Sequence, residues 1–398
     1  MSNRFDLSRA INTPLSFGGP DSITLTDFDN DGAGDVAITS PGGSQSELGV
    51  YLNNGDQTFT EATVINDLPE QVALASADLN GDGNADLVQA SGDNQSATVL
   101  FGDGTGGFPT RTQLSTTHVP QSLEIADIDG DGNRDLAIGT ADRGGVNVFL
   151  GDGQGGFTEA AGLVEGVRNT WELRAADFDN DGVTDIVAHD EGFFGTVQLL
   201  RGDGQGGFSL TNSIDLTDNR SEARDLGIGD FDNDGNLDWA IAELARDKVE
   251  VMFGDGNGGV QSRTELTADN NPKTLDVADM NRDGEADLVV GHGKSQNVLV
   301  FEGKADGSFT RAEDRALNGD LDDIKQAAAG DLDGDGFPDL AFSNAGDGGV
   351  ISAMENQAPL GLPDVTVDLQ WTKQIGTDGQ DKVIDTAVTS TGDLVVVS

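Results

Sequence analysis

Apolar and polar residues alternate in short runs along most of this chain, and no stretch carries the spacing of an amphipathic helix. The stretch from Gln121 to Asp127 alternates cleanly, an acidic loop follows, and Asp135 to Gly139 reads as a second strand. Val146 to Leu150 gives a third. It runs into Gly151 to Phe157, whose glycines supply the positive φ angles of a tight hairpin, and a fourth strand begins at Phe157. Four short antiparallel strands in one such unit predict a propeller blade.

The unit repeats. Its acidic loop returns seven times at intervals of 49 to 53 residues, with carboxylates or their amides at positions 1, 3, 5 and 9 and glycine at 6. A fixed period of this length means stacked units that bury their apolar faces only against neighbours. The glycine hairpin recurs at Gly102 to Phe108, Gly202 to Phe208 and Gly254 to Val260, with looser copies at Asn54 to Phe59 and Gly303 to Phe309. After Val350 to Met354 the seventh repeat offers no fourth strand. Phe5 to Ile11 matches the fourth strands of other repeats, and Phe5 precedes Asp27 by the same spacing as Phe208 precedes Asp230. The expectation is an all-β, seven-bladed propeller over residues 1–356, its last blade completed by the N-terminal strand so that no sheet edge is left open. Residues 357–398 then form a linker and an incomplete β repeat.

The loops carry the chemistry. They comprise Asp27, Asp29, Asp31 and Asp35; Asp78, Asn80, Asp82 and Asp86; Asp127, Asp129, Asp131 and Asp135; and Asp177, Asp179, Asp181 and Asp185. The remaining three are Asp230, Asp232, Asp234 and Asp238; Asp279, Asn281, Asp283 and Asp287; and Asp331, Asp333, Asp335 and Asp339. Calcium takes six to eight oxygens, and alternate side chains of a tight loop converge on one point, with the backbone carbonyl at position 7 as a further ligand. Magnesium demands stricter geometry and keeps its waters. An EF-hand needs a glutamate at position 12, which here is Ile38, Gln89, Ile138, Ala188, Ile241, Val290 or Phe342, each inside an evident strand. Up to seven structural calcium ions are therefore expected, with weaker binding where Asn80 or Asn281 replaces a carboxylate.

An Asp-x-Asp-x-Asp-Gly-x-x-Asp loop combined with a Phe-Gly-Asp-Gly hairpin resembles the FG-GAP/VCBS repeat family, whose best-known members are the propellers of integrin alpha subunits. The resemblance implies calcium between the first and second strands on one face and ligands engaged on the other. The tail from Leu369 is similar to the start of an SBBP propeller repeat.

Composition narrows the partners. With 71 acidic against 22 basic residues the formal charge is -49, which argues against nucleic acid or an anionic membrane and favours cations. There is no cysteine, so neither disulfides nor thiolate chemistry is available. Calcium sites of this kind fill at extracellular concentrations, which points to an extracellular or cell-surface location. Met1 to Ser16 has no apolar stretch fit for a secretory signal, so another export route or a trimmed chain is expected.

A ligand is expected on the variable loops opposite the calcium face, where the sequence places His118, Arg168, Trp171, His189, Phe193, Phe194, Arg220, Arg246, Lys248, Lys273, His292 and Lys294. Trp171, Phe193 and Phe194, with His189 and Arg168 nearby, could stack on a sugar ring or anchor a protein; equally, the rings could cap the core between blades. Trp239 stands where other repeats have an aliphatic residue and reads as core. Arg201, Gly202 and Asp203 spell an adhesion tripeptide, but the same slot reads Phe101, Leu150 or Phe253 before Gly-Asp elsewhere, so the arginine is read as the end of a strand. The expected function is an adhesion or ligand-binding module for a protein or glycan, acting as a monomeric propeller. The alternatives are a lyase-like polysaccharide-degrading enzyme working on the face opposite the loops, or a structural spacer in a larger secreted protein. No catalytic constellation stands out, and the only tyrosine, Tyr51, lies in a strand.

Overall fold

The computed structural model describes residues 22–40, 46–54, 59–141, 145–160, 164, 167, 170–190, 195–216, 222–293, 297–312, 315–316, 324–332, 338–344, 350–354, 356–357, 368–369, 387–388 and 394–395. Each repeat forms an antiparallel meander, as the period-two alternation requires. The first blade runs Ile23–Thr26, Asp35–Ser40, Ser46–Asn53 and Phe59–Leu68 in sheet order, innermost strand first. The innermost strands of the next five are Gln71–Ala77, Pro120–Ala126, Thr170–Ala176, Ala223–Gly229 and Pro272–Ala278.

Among the described residues six complete blades are present where seven were expected. In the sixth, the outer strand is split into Thr310–Arg311 and Arg315–Ala316, both paired with Asn297–Glu302. The seventh repeat supplies a sheet of three strands, Ile324–Gly330, Asp339–Asn344 and Val350–Met354. The N-terminal segment expected to complete it lies outside the described residues, as does most of 357–398.

The core is divided among the interfaces. Seven apolar clusters each join two neighbouring sheets, and the last joins Ile23, Val36 and Ile38 of the first blade to Ala328, Leu332 and Ala341 of the seventh sheet. The array therefore closes on itself through packing. Fully burying a leucine or isoleucine side chain is worth about 1.5–3 kcal/mol, so each interface is held mainly by its apolar residues.

Buried polar side chains stitch the inner strands together. Asp225 accepts a hydrogen bond from the Leu275 amide at 2.7 Å, and Asp276 accepts one from Ala329 at 2.7 Å. Gln326 accepts one from Ile23 at 2.8 Å, across the closing interface. Arg174 is fully buried between Glu172 at 2.6 Å and Asp225 at 3.7 Å, tying the fourth blade to the fifth. A lone cation among buried carboxylates is costly to remove, because each carboxylate would then be buried uncompensated.

Candidate metal centres and the opposite face

Each acidic loop joins the innermost strand of a blade to the second, and its own backbone orients the carboxylates. In the first loop Asp27 accepts hydrogen bonds from the amides of Asp31 and Gly32, and Asp31 accepts one from Ala33. The pattern repeats at Asp177, Asp230 and Asp279. Gly32 has φ +91 and its equivalents are similar, which explains glycine at position 6. Four loops bring three carboxylate oxygens within 4.8 Å of one another: Asp27, Asp29 and Asp35; Asp127, Asp129 and Asp135; Asp177, Asp179 and Asp185; Asp230, Asp232 and Asp234. The donors are all oxygen, which suits a hard cation. In the second and sixth loops Asn80 and Asn281 take one of these places, and Asp333 and Asp335 of the seventh lie outside the described residues.

The ninth position has a second task that the sequence did not disclose. Asp35, Asp86, Asp135, Asp185, Asp238, Asp287 and Asp339 are all fully buried. One oxygen of each accepts a hydrogen bond from the backbone amide at position 2, at 2.7–3.1 Å. In the first six, the other oxygen accepts one from the residue that opens the hairpin: Asn53, Gly102, Gly151, Gly202, Gly254 or Gly303. One carboxylate thus holds loop and hairpin together. Burial, reinforced by neighbouring loop carboxylates, pushes Asp35, Asp238 and Asp287 up to about 7 and Asp86 and Asp185 up to about 6, against the pull of those backbone bonds.

Loops and hairpins share one face, as the repeat predicts. A Cβ on Gly254 would lie 2.2 Å from the Leu237 carbonyl oxygen, and the same close approach recurs at Gly102, Gly151, Gly202 and Gly303. Adjacent loops are bridged as well: Asn30 donates to Asn84 at 2.9 Å and Asn180 to Asn236 at 2.8 Å, while Asn233 donates to Glu285.

At the opposite end of the inner strands the register slips by one residue in six of the seven sheets. The skipped residues are Val72, Gln121, Trp171, Arg224, Lys273 and Lys325, each six positions before its loop. A bulge re-aims a side chain. Trp171, Arg224, Lys273 and Lys325 thus occupy one structural slot in four consecutive repeats, with the Arg224 guanidinium 5.5 Å from the centre of the Trp171 ring. Sequence reasoning singled out Trp171 and Lys273 and missed Arg224 and Lys325; counting six residues back from each loop finds all four.

Other residues expected on this face are placed differently. His189 lies in the strand Asp185–Asp190, buried, with neither ring nitrogen hydrogen-bonded, and burial pushes it down to about 4. His292 and Lys248 are also strand residues: His292 accepts from the Asp269 amide at 3.1 Å, and Lys248 pairs with Glu265 at 2.6 Å and Glu243 at 3.2 Å. Phe193, Phe194, Arg168, Arg220 and Lys294 lie outside the described residues. Trp239 is core, edge-on to Phe178.

Fold and loops together define a β-propeller assembled from acidic-loop repeats. The FG-GAP-like repeat matches residues 27–89, 78–138, 127–188, 230–290 and 285–342, and the chain belongs to this family. Among solved structures it is similar to BBS1N, crystallised in complex with ARL6DN, at 12% identity and TM-score 0.59 over 83% of this chain and 91% of that one. It is also similar to a protein from Lactobacillus plantarum (14% identity, TM-score 0.58, 91% and 98% covered). A functionally unknown protein from Desulfotomaculum acetoxidans is alike as well (12%, TM-score 0.56, 91% and 100%). At these identities the likeness is one of fold. No curated protein sequence matches the chain. Among the described residues no helix is long and apolar enough to cross a membrane.

Proposed function

We propose that this propeller is a calcium-stabilised binding module that works outside the cell, engaging a protein or glycan on the face opposite its acidic loops. The observation that carries the reading is the convergence of three carboxylate oxygens within 4.8 Å in four separate loops. Oxygens sharing one calcium at about 2.3–2.6 Å lie at most about 4.6–5.2 Å apart, so these groups are compatible with a shared calcium ion. The carboxylates of each loop would hold the ion, and the ion would supply the positive charge that lets them lie together. Four such carboxylates repel at about 4 kcal/mol per pair at 4 Å and an effective dielectric of 20.

Partner binding is supported by the fold, since BBS1N of the same architecture forms a complex with ARL6DN, and by the bulge residues Trp171, Arg224, Lys273 and Lys325. Completion of the seventh sheet by Phe5 to Ile11, and a separate β repeat after residue 357, belong to the same reading. So does the adhesive role suggested by the likeness to integrin propellers. Within it, His189 is no general base, because its ring is buried in a strand.

Elemental analysis after dialysis into calcium, paired with melting curves in calcium and in chelator, tests the first half. Several calcium ions per chain and a melting point raised by many degrees are expected; fewer than one ion with unchanged melting refutes it. For the second half, glycan arrays and protein capture compare the native chain with R224E/K273E. Binding lost in the double variant supports that face, and binding unaffected by it refutes the assignment.

A further inference from the structure

In the fourth loop a cation from the neighbouring strand spans two of the carboxylates. Arg201 is the penultimate residue of the strand Thr196–Gly202, directly before the glycine that Asp185 holds. Its Nε lies 2.9 Å from Asp179 Oδ2 and its Nη2 2.5 Å from Asp181 Oδ2, so one guanidinium spans positions 3 and 5 of the loop. In the other complete repeats this slot holds Leu52, Phe101, Leu150, Phe253 or Glu302. Leu52, Phe101, Leu150 and Phe253 pack beneath a hairpin glycine of the following repeat: Gly106, Gly155, Gly206 and Gly307. Beneath Gly258 the place is taken by Leu199, two residues earlier, which leaves Arg201 free to turn onto the acidic loop. The Arg-Gly-Asp tripeptide is therefore committed to the loop rather than displayed as a recognition motif.

We propose that Arg201 is a tethered counter-ion that competes with a divalent cation for the fourth loop, so that this site fills last among the loops with a full set of carboxylates. The proposal rests on the calcium reading above. Asp179 belongs to the three-carboxylate group of this loop, and Asp181 contributes the position-5 carboxylate. An ion entering must displace the guanidinium from both or be repelled by it. The Arg201 side chain is 47% exposed, so the ion pairs are exchangeable rather than locked. Losing two such pairs on metal entry corresponds to about a tenfold loss of affinity. The loop would then stay ordered at low calcium through its arginine and exchange it for metal only as calcium rises.

Crystals of the native chain and of R201L, soaked in graded concentrations of terbium ion, give occupancies loop by loop from anomalous scattering. Leucine is native to this slot in the third repeat, and R201K, which keeps the charge, guards against a merely steric effect. Native crystals should show the fourth loop filling after the first, third and fifth. R201L should bring its half-filling concentration down about tenfold, level with them, while R201K stays close to native. Calorimetric titration with calcium should show the weakest of the full-carboxylate sites tightening by the same factor in R201L. Equal filling of the fourth loop in the native chain, or an unchanged half-filling concentration in R201L, overturns the proposal. Terbium in none of the loops overturns the calcium reading beneath it, a result distinct from equal filling.

Discussion

Replacing Asp238 by alanine should destabilise the protein even when no metal is present. Asp238 is fully buried and accepts hydrogen bonds from the Phe231 and Gly254 amides, each at 2.7 Å. Alanine leaves both N–H groups buried without a partner, at about 1–3 kcal/mol each, so the loss should be about 2–6 kcal/mol. That is a large share of the roughly 5–15 kcal/mol that holds a typical domain folded. D238N retains one acceptor oxygen and should lose about half as much. Asp234 is the control, since it is exposed, belongs to the oxygen group of the same loop and accepts from the Asn236 amide at 2.8 Å. D234N should change stability by less than about 1 kcal/mol in chelator while weakening calcium binding. Urea denaturation in chelator, followed by fluorescence, measures all three variants. If D238A unfolds within about 1 kcal/mol of the native chain, or D234N costs as much as D238A, the view of position 9 as the clasp between loop and hairpin is wrong.

Without metal, stability should fall as pH rises from about 4 to 7, because the folded chain keeps protons on Asp35, Asp238 and Asp287 that the unfolded chain has already released. Calcium should flatten or reverse that slope; melting at pH 5 and 8 with and without calcium checks the sign, and a metal-free chain more stable at pH 8 contradicts it. Gly254→Ala should cost about 1–3 kcal/mol, since its Cβ would sit 2.2 Å from the Leu237 carbonyl oxygen; an unchanged urea midpoint contradicts the close approach. R174M strands Glu172 and Asp225 in the interior and should cost about 3–5 kcal/mol at pH 8 and less at pH 5, where those carboxylates take up protons. Equal losses at both pH values would point to packing instead of charge.

Much of the acidic-loop face was legible because its residues recur at a fixed period. Asp27 to Asp35 and their copies predicted the turn, the following strand and the hairpin beside it, since only a few residue types tolerate those backbone angles. Trp239 was legible for the same reason, standing where other repeats put an aliphatic residue. The double duty of the ninth aspartate was not, because letters do not show that both its oxygens already meet backbone amides. His189, His292 and Lys248 read as loop residues because they are polar; they lie in strands and are buried, and the partners that accommodate Lys248 and His292 come from distant positions such as Glu265 and Asp269. Arg224 and Lys325 escaped notice because a slipped register leaves no local signature in composition.

The hairpin contacts also give the ring a direction. Gly155 leans on Phe101 and Asn80, Gly206 on Leu150, and Gly307 on Phe253 and Asp232, so each hairpin braces the repeat before it and is braced by the one after. Damage to one hairpin should therefore loosen the preceding acidic loop more than the following one. A lesion in this molecule would spread around the circle in one sense, backward along the chain, until it met the seam where the seventh sheet abuts the first.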